Sequence, residues 1–324
     1  MKKKNYNIFC NDGGGIKGVN SLVQIREFEK ILGCKIRDYF HLLGGTSTGG
    51  IVVVMLALGY SCDEILKIYT EHGDEIFHKQ FLRYGWLRPK YDDTNFNNLI
   101  KSYVGDKKLS DLEIDIIIPA YNATKQEMYF FKSRKAKLDS KYDFSLFDVV
   151  RSTSSAPTFF KPHVINGEVF RSPTDKELNK ACMVDGGLGV NNPSMICFSD
   201  TKENFVDYKD EFSVYNKINL ISFGTGEDEI KINKKVIKGG KLMWAAPTVE
   251  VLMRENNRMT NISLKKLFKS EKGIYTRCQS IIKNSTGDID DASRENINNM
   301  ISDGMNSVKT NRTIMLDFNI NTIN

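Results

Sequence analysis

His41-Leu42-Leu43-Gly44-Gly45-Thr46-Ser47-Thr48-Gly49-Gly50, residues 41–50, passes from a short apolar run through a glycine-flanked turn into an apolar segment that continues to Leu58. The run reads as a strand and the segment from Thr48 onward as a helix. Within the turn, Gly45-Thr46-Ser47-Thr48-Gly49 matches G-x-S-x-G between a strand and a helix, the two contexts that a nucleophile elbow requires. A serine there sits on strained backbone with its hydroxyl at a helix N-terminus, where the dipole favours a developing alkoxide. By composition such a pattern arises by chance in roughly one chain of this length in ten. Alone, it reads equally as a loop with glycine hinges.

Upstream, residues 6–10 read as a short buried strand broken by Asn11-Asp12-Gly13-Gly14-Gly15. A helix is expected over 18–32, with Val19, Leu22, Ile25, Phe28 and Ile31 making one apolar face. In Asp12-Gly13-Gly14-Gly15-Ile16-Lys17-Gly18, consecutive glycines let backbone N–H groups converge into an anion-binding nest. Its occupant is a phosphate or the oxyanion of a tetrahedral intermediate. Gly13, Gly15 and Gly18 also satisfy G-x-G-x-x-G, the dinucleotide fingerprint. That reading wants an acid at the end of the second strand. Asp38, 20 residues past Gly18, precedes the strand instead.

Downstream, a helix is expected over 62–77 and strands over 113–121 and 128–132. A helix over 146–155 should stop before Pro157. Strands follow near 164–170 and 181–184, then a helix from Pro193 and a strand over 219–223. Strands alternating with helices argue for a layered α/β domain with a largely parallel sheet. In Val184-Asp185-Gly186-Gly187, Asp185 ends a short apolar strand before a tight turn. Residues at strand C-termini converge on one edge of an α/β sheet, which makes Asp185 a candidate base for Ser47; a turn-initiating aspartate is the plainer alternative. The four histidines, His41, His72, His78 and His163, have no motif context. A two-residue arrangement, Ser47 with Asp185, is therefore favoured over a triad.

Composition bounds the rest. The chain has 324 residues, enough for one large domain, with 40% hydrophobic and 27% charged residues, which excludes a disordered chain. No apolar run approaches the length of a membrane-spanning helix. The net charge of +6 is mild and lacks the concentrated basic face of a nucleic-acid binder, so no nucleic acid is expected as substrate. The six cysteines are scattered, with no CxxC pair or His/Cys cluster, which argues against a structural zinc. Met1-Lys2-Lys3-Lys4 is followed by too short an apolar stretch for a classical signal peptide, and a reduced, cytoplasmic protein is expected. Past Gly226 the texture becomes Lys- and Asn-rich with long helical patterns over 240–268 and 292–308. Residues 1–226 are thus expected to form the core, and 227–324 a helical extension packed on the same domain.

Taken together, the motifs resemble those of the patatin-like phospholipases. That family combines a D-G-G-G-x-[RK]-G nest, a G-x-S-x-G elbow and a downstream D-G-[GA]. Ser155-Ala156-Pro157-Thr158-Phe159-Phe160 resembles its S-A-A-P-T-Y-F stretch, one alanine shorter. Val184-Asp185-Gly186-Gly187 through Asn191-Asn192-Pro193 resembles V-D-G-G…N-N-P, and Ile221-Ser222-Phe223-Gly224-Thr225-Gly226 resembles L-S-L-G-T-G. The likeness covers about residues 5–226 and is weak beyond.

The resemblance implies a three-layer α/β/α sandwich with a mostly parallel central sheet, and hydrolysis of acyl esters of glycerophospholipids without metal or cofactor. It implies Ser47 as nucleophile and Asp185 as its partner, with oxyanion-hole amides from Gly13, Gly14 and Gly15, joined by Thr48. Gly18, Gly45, Gly49, Gly186 and Gly187 are the motif glycines. Lys17 stands where the family often has arginine, which brings a positive field without a bidentate fork.

Phospholipid as substrate implies contact with a membrane surface. Residues 76–87 mix aromatics with basic side chains in the manner of an interfacial segment, or of a core-packed loop. Lys231, Lys234, Lys235, Lys238 and Lys241 would attract anionic headgroups, or are simply solvated. An activating ligand or protein is compatible with the basic, variable tail, and its identity is unknown. Two other readings stay open: an inactive lipid-binding relative and a dinucleotide-binding oxidoreductase.

Overall fold

A computed structural model describes residues 4–76, 89–170, 179–227 and 241–322. The strands are β1 (Lys4–Asn11), β2 (Leu42–Gly45), β3 (Asp115–Asn122), β4 (Glu127–Lys132), β5 (His163–Asn166), β6 (Lys180–Asp185), β7 (Tyr215–Phe223) and β8 (Tyr275–Cys278). They form one sheet in the order β5-β6-β3-β2-β1-β7-β8, with β4 paired to β3 off this path. The run β3-β2-β1-β7-β8 is parallel throughout. Both β4 and β6 run antiparallel to β3, and β5 antiparallel to β6. The sheet is therefore mixed, with a parallel centre.

Two-residue alternation along the strands divides the core between the two faces. Tyr6, Ile8 and Cys10 of β1 and Ile218 and Leu220 of β7 enter one apolar cluster, while Phe9, Ile221 and Phe223 enter the other. The larger cluster is covered by α1 (Gly18–Leu32), α2 (Ile36–Tyr39), α3 (Thr48–Leu58), α4 (Cys62–Ile76), α5 (Thr94–Val104), α6 (Ser133–Leu138) and α7 (Leu146–Thr153). The smaller one is covered by α8 (Ser194–Asp207), α9 (Lys209–Phe212) and α10 (Lys241–Leu267). The result is an α/β sandwich with helices on both faces. Helix α3 is apolar all round and almost wholly buried, as expected of a helix enclosed by the sheet and its neighbours.

The last hundred residues do more than cover the core. Strand β8 extends the sheet beside β7, with Arg277 opposite Ser222. Its sequence, Tyr-Thr-Arg-Cys, carries no apolar run, so only its partner marks it as a strand. The final helix, α11 (Arg294–Thr322), runs well past the expected end at residue 308. Met300, Met315 and Phe318 are fully buried in the larger cluster, and the Phe318 ring meets Phe28 of α1 edge-on at 6.0 Å. The strand expected over 164–170 ends at Asn166; a single 3-10 turn over Glu168–Phe170 follows. Residues 77–87 and the lysines at 231, 234, 235 and 238 lie outside the described residues.

Candidate active site

The turn between β2 and α3 is a sharp one. Ser47 has φ +53° and ψ −122°, a conformation that costs a side-chain-bearing residue on the order of 1–3 kcal/mol. Surrounding bonds enforce it. The Ser47 N–H donates to Thr153 Oγ1 at 3.0 Å, and that hydroxyl in turn donates to the Pro119 carbonyl of β3 at 2.6 Å. Gly45 ends β2, and Gly49 lies in the first turn of α3. A methyl group on Gly49 would overlap the carbonyl oxygens of Asn11 and Asp12, so the elbow packs directly on the turn that follows β1.

Ser47 Oγ donates to Asp185 Oδ2 at 2.6 Å, and the other carboxylate oxygen accepts from Gly187 N–H at 2.7 Å. The Asp185 N–H donates to the Ser155 carbonyl at 3.0 Å. Both side chains are buried. Burial pushes the Asp185 carboxyl up to about 6, against the opposing effect of the bonds from Ser47 and Gly187. Gly186 packs against the Pro119 carbonyl, where no side chain would fit.

The glycine turn after β1 lies beside the serine. Gly13 N–H is already committed, donating to the Asn191 carbonyl at 3.1 Å. The Gly13 carbonyl accepts from Thr225 Oγ1 at 2.9 Å. Gly15 has φ +59° and abuts the Ile289 carbonyl, which also accepts from Ile16 N–H at 2.9 Å. Among the described residues, no bond engages the N–H groups of Gly14, Gly15 or Thr48. Gly18 opens α1 against the Thr48 side chain, whose hydroxyl meets Tyr69 Oη at 2.5 Å. Lys17 is partly exposed and lines a separate pocket with Gly13, Gly14 and Arg254.

Ser47, Asp185, Gly15 and Thr48 line a cleft of about 830 Å³, open mouth included. Most of its remaining wall is apolar, with Ile51, Ile68, Phe96, Phe159, Phe160 and Met253 among the lining side chains. None of the described histidines lines this cleft. His41 stacks on Tyr6 at 4.9 Å, and His163 pairs with Asp148 at 2.8 Å. His72 belongs to α4, and His78 lies outside the described residues. Asp38 lines a different, polar pocket together with His41, which precedes β2, and Asp115, which opens β3. It is therefore at the opposite end of the strands from the glycine turn and cannot serve a dinucleotide ribose there.

Three contributors escaped the sequence reading. Thr153 is an unremarkable residue at a helix end. Asn191 lies in the N-N-P segment, whose order was recognised without a role. Arg277 had no signal at all. Its Nη1 donates to Asp12 Oδ1 at 2.9 Å and to Ser222 Oγ at 2.7 Å, and its Nη2 to Asp12 Oδ2 at 2.5 Å. Burial raises the Asp12 carboxyl above its ordinary range, with the Arg277 guanidinium opposing.

The family model described as patatin-like phospholipase matches residues 9–198, more than half of the chain. The chain belongs to the patatin-like phospholipase family. Among curated patatin relatives, it is 30% identical over 343 residues to patatin-like protein 2 of Oryza sativa subsp. indica, covering 94% of this chain and 84% of that protein. It is 28% identical over 334 residues to patatin-like protein 2 of Arabidopsis thaliana, covering 92% and 81%. To patatin-T5 of Solanum tuberosum it is 28% identical over 332 residues, covering 92% and 82%. Alignments of this breadth extend well past Gly226, where the motif reading found only weak likeness. Membership in the patatin-like phospholipases makes the protein a lipid acyl hydrolase.

Proposed function

We propose that this patatin-like phospholipase cleaves acyl esters of glycerophospholipids through an acyl-serine intermediate, with Ser47 as nucleophile and Asp185 as its base. The observation that carries the reading is the 2.6 Å bond from Ser47 Oγ to Asp185 Oδ2 inside a largely apolar cleft. Asp185 takes the Ser47 proton as Oγ bonds to the ester carbonyl carbon. The oxyanion accepts from the uncommitted N–H groups of Gly14, Gly15 and Thr48, each worth roughly 3–4 kcal/mol in the transition state. The tetrahedral adduct collapses, the lysolipid alkoxide leaves, and it receives the proton from Asp185. Asp185 then deprotonates a water, hydroxide attacks the acyl-serine, and Ser47 regains its proton as the fatty acid departs. A carboxyl lifted to about 6 is a stronger base than an ordinary aspartate and is still ionised at neutral pH. The apolar wall suits an acyl chain.

The same reading brings the protein to a membrane surface through α10. Trp244, Leu252, Met259 and Ile262 are exposed on that helix and fall within roughly 80° of arc at 3.6 residues per turn. Val249 and Met253 of the same helix line the cleft. Lys265 and Lys266 in its last turn add positive charge, each favouring an anionic lipid surface by about 1 kcal/mol.

The test is hydrolysis of a fluorogenic phospholipid by the purified protein and by Ser47→Ala, with chelator present. Activity lost only in the variant supports the dyad; turnover by Ser47→Ala refutes it. Leu252→Glu with Met259→Glu should abolish co-sedimentation with anionic vesicles while sparing a soluble ester substrate.

A further inference from the structure

Asp12 is fully buried immediately before the glycine turn, and its two carboxylate oxygens are held by the two terminal nitrogens of Arg277. The arginine comes from β8, 265 residues along the chain, and is itself anchored on Ser222 of β7. We propose that Arg277 is a positioning residue for catalysis: inserted from the edge strand, it neutralises Asp12 and fixes the turn whose amides receive the oxyanion formed at Ser47. The inference rests on the oxyanion-hole reading above.

Three observations support it. The contact is bidentate, the geometry by which a guanidinium fixes a carboxylate's orientation as well as its charge. Asp12 is also fixed through its backbone: its N–H donates to the Phe223 carbonyl at 3.0 Å, and its own carbonyl packs on Gly49 of the elbow. Any movement of Asp12 thus shifts the glycine amides relative to Ser47. Finally, a bare carboxylate at this depth would oppose the negative charge that develops on the substrate oxygen, because a water-free interior screens charges poorly. A buried ion pair is a weak device for stability alone, since apolar residues of equal volume often do as well. Its placement beside the nest gives it a use that apolar packing lacks.

Steady-state kinetics on a soluble p-nitrophenyl ester test this with Arg277→Met, Arg277→Lys and the double variant Asp12→Asn with Arg277→Met. Arg277→Met should lower kcat roughly a hundredfold with KM changed less than about threefold, the pattern of a lost transition-state interaction. The double variant removes the stranded charge and should recover at least about tenfold over the single one. Arg277→Lys keeps the charge but not the two-pronged grip, and should fall between wild type and Arg277→Met. Should Arg277→Met fail to fold, the lysine and double variants decide. Full kcat in Arg277→Lys, a double variant no better than the single one, or a loss confined to KM would each overturn the proposal. If Ser47→Ala stays active on this ester, the dyad reading falls and this one with it. If Ser47→Ala is dead while Arg277→Met keeps full kcat, only the role of Arg277 falls.

Discussion

Ser47 and Asp185 are brought together by two strands that run at each other along one edge of β3. Ile117 of β3 pairs with Gly44 of β2 on one side and Lys132 of β4 on the other; three residues later, Ala120 pairs with Asp185 of β6 and Tyr129 of β4. Strands β2 and β6 therefore share the edge that β4 does not occupy. One is parallel to β3 and the other antiparallel, so their C-terminal ends face each other. The elbow turns off one end and the aspartate closes the other.

The proposed mechanism carries a pH dependence. As the base proposed for Ser47, Asp185, lifted by burial to about 6, has to be ionised before it can take the serine proton. On a soluble ester, kcat/KM should be level above about pH 7 and fall about tenfold per unit below about pH 6. A profile that stays level down to pH 4.5 would mean that Asp185 is not the titrating base.

The same elevation costs stability. A carboxyl that ionises near 3.8 when unfolded and near 6 when folded binds more protons in the native state between those values. Its contribution is fully present below about pH 4 and is lost as the pH rises through 6. At two pK units or so the cost at pH 8 is on the order of 2–3 kcal/mol. Asp185→Asn should therefore be inactive yet about 2 kcal/mol more stable than wild type in urea melts at pH 8, with the gain gone by pH 4. Equal melts at pH 8 would sink the argument.

Backbone strain at position 47 predicts an ordering of two dead variants. Ser47→Ala keeps a Cβ at φ +53°, whereas Ser47→Gly removes it. The glycine variant should be the more stable by about 1 kcal/mol, despite glycine's larger entropy loss on folding. Chemical denaturation of both, side by side, reads the difference directly.

Ile68 is buried in the cleft wall. Ile68→Phe adds volume where an acyl chain would lie, and should move preference toward shorter chains. A series of p-nitrophenyl esters from two to twelve carbons measures this as a drop in kcat/KM for the longer members. An additional methylene in an apolar pocket is worth about 1 kcal/mol or somewhat more. An unchanged chain-length profile would place the acyl group elsewhere.

The parts of this site that were legible in the sequence are the local ones. Residues 6–32 and 41–58 each hold strand, glycine turn and helix within one short window, and the window carries the signal. Asp185 is legible as the end of a strand, but it meets Ser47 because β6 runs antiparallel to β3, not because parallel strands share a C-terminal edge. The antiparallel direction of β6 is set by pairing with β3, which nothing within 180–185 encodes. Arg277 was illegible for the same reason: a lone arginine in Tyr-Thr-Arg-Cys acquires meaning only from Asp12 across the sheet. Gly13 shows the opposite failure. Its motif position implied an oxyanion donor, while its N–H is taken by Asn191.

The pairing of Asp12 with Arg277 also imposes an order in time. A ribosome makes Asp12 first and Arg277 265 residues later. A nascent chain that has exposed residues 1–226 carries Ser47 and Asp185 but not the counter-ion that completes the glycine turn. On the positioning role proposed for Arg277, such a chain would turn over substrate roughly a hundredfold more slowly until β8 takes its place in the sheet beside β7.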